Sequence, residues 1–260
     1  MWRPGTTRPL PYWLTPVSHA TFHNHSFEEV CVQLGPAMNA LILAGKRLDA
    51  RGIVAGTEGN LSARMDDGSM LITRSGAFKG ELSRMDLLQV DLQGRILVGE
   101  GKMSSESNVH MTAYRLRPDV NAVVHAHPPA ALALMLRGEG LEAVPLAEAA
   151  YAFGSVPTTR FAVPGTPEGG EVIAEWITSR DAVLLDRHGA VTVGRTVEEA
   201  LARMETLDAI SRTVLMAGDS GSWTPLEISA VERVADAAVA AGAREEAVVA
   251  WRAAMMERLR

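Results

Sequence analysis

The chain has 260 residues, enough for one large domain or two small ones, and 47% of them are hydrophobic, so a substantial core is available. A net charge of −6, with no Lys/Arg block interleaved with aromatics, argues against a nucleic-acid binder, and no apolar run reaches membrane-spanning length. The single cysteine, Cys31, excludes an intramolecular disulfide framework and a cysteine-based zinc cluster. It fits a reducing cytoplasm, and the N-terminus lacks the continuous apolar segment of a signal peptide.

Residues 1–25 are rich in Pro, Thr, His and aromatics without periodicity and read as an irregular arm. His19, His23 and His25 lie there, in a loop that offers no fixed face for a metal. From Ser26 to about Arg51 the spacing of Val30, Leu34, Met38 and Leu41 predicts a helix, opened by a Ser26–Glu29 capping box. A Gly-rich loop, Gly56–Asn60, then enters a strand. Asp66-Asp67-Gly68 marks a hairpin, with Met70–Thr73 as the return strand, and Arg74-Ser75-Gly76 is a further turn. Met85–Asp91 and Arg95–Val98 flank a second hairpin. Ser104-Ser105-Glu106 opens a helix running to about Arg117. Val-rich runs ending at His125 and at His188 read as buried strands. Helices are expected from about Pro129 to Arg137, Glu168 to Thr178 and Thr196 to Met216. The tail holds two more helices divided at Ala241-Gly242, the first opened by a Thr224–Glu227 capping box. The mixture favours one α/β or α+β domain (26–216) with a mixed or largely antiparallel sheet, followed by a helical extension (217–260) packed on the same domain.

His125 and His127 are two apart in a strand and so share a face, as two ligands of one metal must. His188 could complete a three-nitrogen site with one position open for substrate, which is catalytic rather than structural zinc geometry. Zn²⁺ suits three imidazoles, although other divalent transition metals fit the same ligands. Three segments suit a small anion: Gly59-Asn60, Ser75-Gly76 and Ser104-Ser105, the last at a helix N-terminus. Glu106 is either an ordinary first-turn acid or a proton carrier facing the metal.

Gly-Asn-Leu-Ser at 59–62, Thr-Arg-Ser-Gly at 73–76, Ser-Ser-Glu-x-x-x-His at 104–110, Arg-Pro-Asp-Val-Asn-Ala-Val-Val-His-Ala-His at 117–127 and His188-Gly189 resemble the class II aldolase/adducin family. In order and spacing they are similar to its fuculose-1-phosphate aldolase type. The resemblance covers about Glu28 to Leu215 and implies a three-layer αβα sandwich with a central mixed, largely antiparallel sheet. It implies a homotetramer with active sites at subunit interfaces. It assigns His125, His127 and His188 to Zn²⁺, Glu106 to acid/base catalysis, and Asn60, Ser75, Gly76, Ser104 and Ser105 to a substrate phosphate. His110 takes a structural role. Arg74 replaces a proline common in the family's turn, and either adds a cation near the phosphate or faces solvent. The family's aldehyde-protonating tyrosine has no secure counterpart; Glu148 and Tyr151 lie in the relevant segment.

The leading expectation is a zinc-dependent lyase that cleaves a ketose 1-phosphate to dihydroxyacetone phosphate and an aldehyde, in the cytoplasm, with neither nucleic-acid nor membrane partners. A pentulose-phosphate 4-epimerase or a methylthioribulose-1-phosphate dehydratase would use the same site. A non-catalytic adducin-like scaffold would have no need of Glu106 or the three histidines.

Overall fold

The structure, a computed structural model, describes residues 27–218 and 223–259. The N-terminal arm, its three histidines and Ser26 lie outside the described residues. Helix α1 (Phe27–Ala50) forms where a helix is predicted, and Met38, Leu41, Ala44 and Leu48 are buried along it; the side chains of Val30 and Leu34 lie outside the described residues.

Seven strands form one sheet: β1 (Asn60–Arg64), β2 (Met70–Thr73), β3 (Leu87–Val90), β4 (Ile96–Val98), β5 (Ala122–Ala126), β6 (Ala182–Leu185) and β7 (Gly189–Gly194). Their spatial order is β4-β3-β2-β1-β5-β7-β6, and every neighbouring pair is antiparallel. The parallel component reduces to an isolated bridge between Thr158 and Leu184.

Side-chain alternation sorts the sheet into two apolar faces. Ile72, Val123, Val183 and Val191 pack with α2 (Ser107–Leu116) and α5 (Glu168–Ala174). Leu61, Leu71, Val124 and Leu184 pack with α1, α3 (Pro129–Leu136) and α6 (Val197–Ala217). Helices therefore cover both faces, as the αβα reading requires. A separate cluster joins α4 (Ala147–Ala152) to α7 (Ile228–Ala240) and α8 (Glu245–Arg258) around Trp251, whose indole N–H donates to Val144 O at 2.9 Å. Arg244, just before α8, donates to Asp181 at 3.0 Å and to Asp119 at 3.1 Å, tying this helical pair to the central sheet.

Three expectations change. The run 181–188 is not one strand: β6 ends at Leu185, and Asp186–His188 is a tight turn in which Arg187 takes φ 53°. Gly189–Gly194, unassigned from sequence because glycine at both ends reads as punctuation, is the strand β7 paired between β5 and β6. Thr224–Glu227 opens no helix; α7 starts at Ile228, with Glu227 still extended and Leu226 packed on the Trp251 cluster.

Candidate active site

Three local devices bring the histidines together. Antiparallel register sets Asn60 of β1 directly opposite His125 of β5, so both side chains face the layer that carries α2. The β6–β7 turn returns His188 to the same end of the sheet. Gly189 then permits the convergence: a Cβ there would lie 2.6 Å from Ala126 O and 2.8 Å from the His127 ring. The three imidazole centroids are 4.9, 4.9 and 5.0 Å apart.

Glu106 occupies the N-cap position of α2 but does not cap it. Its carboxylate reaches away instead, with Oε2 3.0 Å from His125 Nε2 and Oε1 2.9 Å from His188 Nε2. Burial pushes this carboxyl up, but hydrogen bonds and charge from His125 and His188 overcome it and hold the group well below the ordinary carboxylate range. It is therefore an anion at neutral pH. His127 Nε2 faces His125 Nε2 at 3.2 Å.

The four side chains fit a divalent cation on the chemistry of their donors. His125 Nδ1 donates to Ala190 O at 3.0 Å, and His127 Nδ1 lies 3.4 Å from Glu58 Oε2, which leaves both Nε2 atoms for the centre. A cation that replaced the proton shared by His125 Nε2 and Glu106 would be met by both facing Nε2 atoms, which stand 3.2 Å apart. That separation is close to the roughly 3.3 Å spacing of tetrahedral ligands with bonds of about 2.0–2.1 Å. Burial first, then the neighbouring His125 and His188, lower the His127 pKa to about 3, so its ring is neutral as a ligand must be. All four ligand atoms lie within 4.8 Å of one another.

The predicted anion segments also converge. Asn60 Nδ2 donates to Ser104 Oγ at 3.1 Å and to Glu106 Oε2 at 3.2 Å. Ser75 N donates to Lys102 O at 2.8 Å beside an isolated Arg74–Met103 bridge, which lays the Ser75-Gly76 turn along the segment entering Ser104. Ser105 is exposed and abuts Gly165. Arg74 does not reach free into this pocket, because its guanidinium pairs with Asp86 Oδ1 at 2.7 Å. Lys79, unnoticed in the sequence, is fully buried here: Nζ donates to Ala77 O at 2.7 Å and Thr57 O at 3.0 Å, joining the Gly-rich loop to the Ser75-Gly76 turn. Burial lowers its pKa to about 8 against the opposing pull of Asp86. No sequence pattern marked Lys79 or Glu58, since neither belongs to a periodic stripe or a paired motif.

A narrow cleft opens on Glu106 and His188, walled by Val109, Ala162, Val163 and Pro164. Glu148 and Tyr151 are exposed on α4 and stand outside the four-residue cluster.

A helix-flanked antiparallel sheet that carries three imidazoles and one anionic carboxylate at one end defines a candidate divalent-metal enzyme. The chain belongs to the family described as Class II Aldolase and Adducin N-terminal domain, which it matches over residues 39–215. It is 37% identical over 179 residues to a methylthioribulose-1-phosphate dehydratase of Methylococcus capsulatus, covering 65% of this chain and 87% of that protein. It is 35% identical over 165 residues to the L-fuculose phosphate aldolase of Escherichia coli, covering 63% of this chain and 75% of that one. The solved L-fuculose-1-phosphate aldolase of Thermus thermophilus superimposes with a TM-score of 0.63 at 33% identity, over 74% of this chain and all of that chain. Among the described residues no helix is long and apolar enough to cross a membrane.

Proposed function

We propose that the chain is a metal-dependent aldehyde-lyase that cleaves a ketose 1-phosphate to dihydroxyacetone phosphate and an aldehyde. The observation that carries this reading is the Glu106 carboxylate, ionised and held between His125 and His188 at the mouth of a cleft. His125, His127 and His188 would hold Zn²⁺, which when bound supplies a positive charge that polarises a substrate carbonyl. Glu106 takes a proton from, or returns it to, the carbon beside that carbonyl, within reach of one carboxylate oxygen. Ser75, Gly76, Ser104 and Ser105 would seat the substrate phosphate through hydroxyls and backbone N–H groups, and Asn60 would join them through the amide proton it otherwise gives to Ser104. Arg74 is committed to Asp86, and buried Lys79, held by Thr57 O and Ala77 O, would contribute only a long-range positive field behind the Ser75-Gly76 turn.

The half-exposed Phe161, Val163 and Tyr151 support assembly into a homotetramer whose neighbours complete the cleft, which would bring Tyr151 to a partner's site as the acid for the aldehyde oxygen. Lone Cys31 supports a reducing, cytoplasmic setting.

A second reading, dehydration of a methylthioribulose-1-phosphate-like ketose, keeps the metal and Glu106 and expels water instead of splitting a carbon–carbon bond. It draws support from the 37% identity to such a dehydratase and from a cleft that, among the described residues, no tyrosine lines. Product analysis on a panel of ketose 1-phosphates decides between them. Two fragments including dihydroxyacetone phosphate support the lyase; a single product lighter by one water overturns it.

A further inference from the structure

A buried polar chain runs from the interior of α2 to the Glu106 carboxylate, and its donors can be assigned in order. Asn60 faces Glu106 Oε2 at 3.2 Å and Ser104 Oγ at 3.1 Å. A carboxylate only accepts, so the Asn60 atom turned toward it is the NH₂ group. Asn60 Oδ1 consequently points at His110 Nε2, in a short contact that requires Nε2 to carry the proton. The other ring nitrogen, Nδ1, is then an acceptor and receives the Ser62 hydroxyl proton at 2.6 Å. Ser62 has one proton to give, so it accepts from the Tyr114 hydroxyl at 2.7 Å. His110 and Ser62 are wholly buried, Tyr114 is 1% exposed and Asn60 3%. No water is needed to close the chain, and only one assignment of its protons satisfies every member.

We propose that His110 is a positioning residue: as its Nε2–H tautomer, it locks the Asn60 amide in the one orientation that donates to Glu106. The opposite tautomer would turn Nε2 into an acceptor and reverse the amide. Asn60 Oδ1 would then confront the carboxylate oxygen, two acceptors about a hydrogen-bond length apart, and Glu106 would rotate away from His125. The spacing of His110 one helical turn after Glu106 thus has a purpose beyond packing. The carboxylate leaves the start of the helix, and the imidazole on the next turn returns to hold its partner. Burial keeps His110 neutral, with its pKa lowered to about 3, which preserves its single-acceptor form across the working pH range. Tyr114, one turn further along α2, closes the chain from the far end.

The inference rests on Glu106 as the proton carrier, and its test separates the two claims. In ¹⁵N-labelled, zinc-loaded full-length protein, the imidazole nitrogens are read by long-range ¹⁵N–¹H correlation. A pyrrole-type Nε2 and a pyridine-type Nδ1 on His110 are expected. The reverse pattern, or two averaged resonances, overturns the proposal whether or not any sugar phosphate is turned over. His110→Met removes the lock and should lower kcat about tenfold to a hundredfold with KM changed less, while zinc content stays stoichiometric. His110→Gln can both donate to Asn60 and accept from Ser62, so it should recover most of the lost kcat. Equal losses in the two variants would reduce His110 to packing alone.

Discussion

Asn60 and His125 stand directly opposite each other across the β1–β5 pair, and both face the layer that begins at Glu106. One register therefore delivers a metal-ligand candidate from one strand and an anion-binding amide from the next to a single carboxylate. A one-residue slip of β1 would turn Asn60 to the opposite face, which Leu61, Leu71 and Val124 line, and leave His125 without it.

The first prediction concerns Glu106. Replacing it with Gln keeps the size and the Asn60 contact but removes the anion. Glu106→Gln should retain zinc and lose about 10²–10⁴-fold in kcat. Metal analysis beside steady-state kinetics checks this, and near-normal turnover would remove Glu106 from the chemistry.

Gly189 is the most exposed weakness of the histidine cluster, because a methyl group there meets Ala126 O and the His127 and His125 rings at 2.6, 2.8 and 3.1 Å. Gly189→Ala should spread the imidazoles and weaken zinc binding by about 10–100-fold with the fold intact. Competition with a chromogenic chelator measures it. Unchanged affinity would mean that the rings converge without help from the turn.

Much of this site was legible in the sequence because strand and helix periods are short-range rules. His125 and His127 share a face by the two-residue repeat, and Glu106 precedes α2 where a serine-rich start announced a helix. His188 was legible as a companion of His125 and His127 but not as a turn residue, since the positive φ of Arg187 that ends β6 has no signature in a non-glycine residue. Lys79 and Glu58 were not legible at all. Their roles arise only when the Gly-rich loop and the Ser75-Gly76 turn meet in space. Asn60 and His110 were singled out in the sequence but not as partners, and Ser62 and Tyr114, which complete their chain, sit at positions that periodicity assigns simply to a buried face.

Lys79 gives a pH signature. Its folded pKa of about 8 lies below the ordinary lysine value of 10.5, so between these pH values the unfolded chain binds the extra proton. Stability should therefore rise with pH across that window, by about 3 kcal/mol for the full shift. Below pH 8 both states carry the charge and the burial cost is fully present. Urea unfolding of the wild type against Lys79→Met isolates the effect, since the methionine variant lacks this proton. Parallel pH profiles for the two proteins would contradict a protonatable, buried Lys79.

Asp181 is the hub at the opposite end of the sheet. It is 6% exposed and pairs with Arg117 and Arg244 at 3.0 Å and Arg203 at 3.1 Å. Asp181→Ala leaves Arg117 buried with Asp119 as its remaining acid and removes one of the two carboxylates that hold Arg244 before α8. The expected cost is about 3 kcal/mol in chemical denaturation, with zinc stoichiometry unaffected. A loss of metal instead would couple the two ends of the molecule.

The central claim is that Glu106, at a metal site built by His125, His127 and His188, exchanges a proton on the carbon beside a phosphorylated ketone. Dihydroxyacetone phosphate incubated alone with the zinc-loaded enzyme in D₂O tests it without any need to know the aldehyde. Proton NMR should show one hydroxymethyl hydrogen replaced by deuterium, with exchange abolished by chelator and in Glu106→Gln. Dihydroxyacetone phosphate that keeps both hydrogens, or exchange that persists without Glu106, would contradict the account.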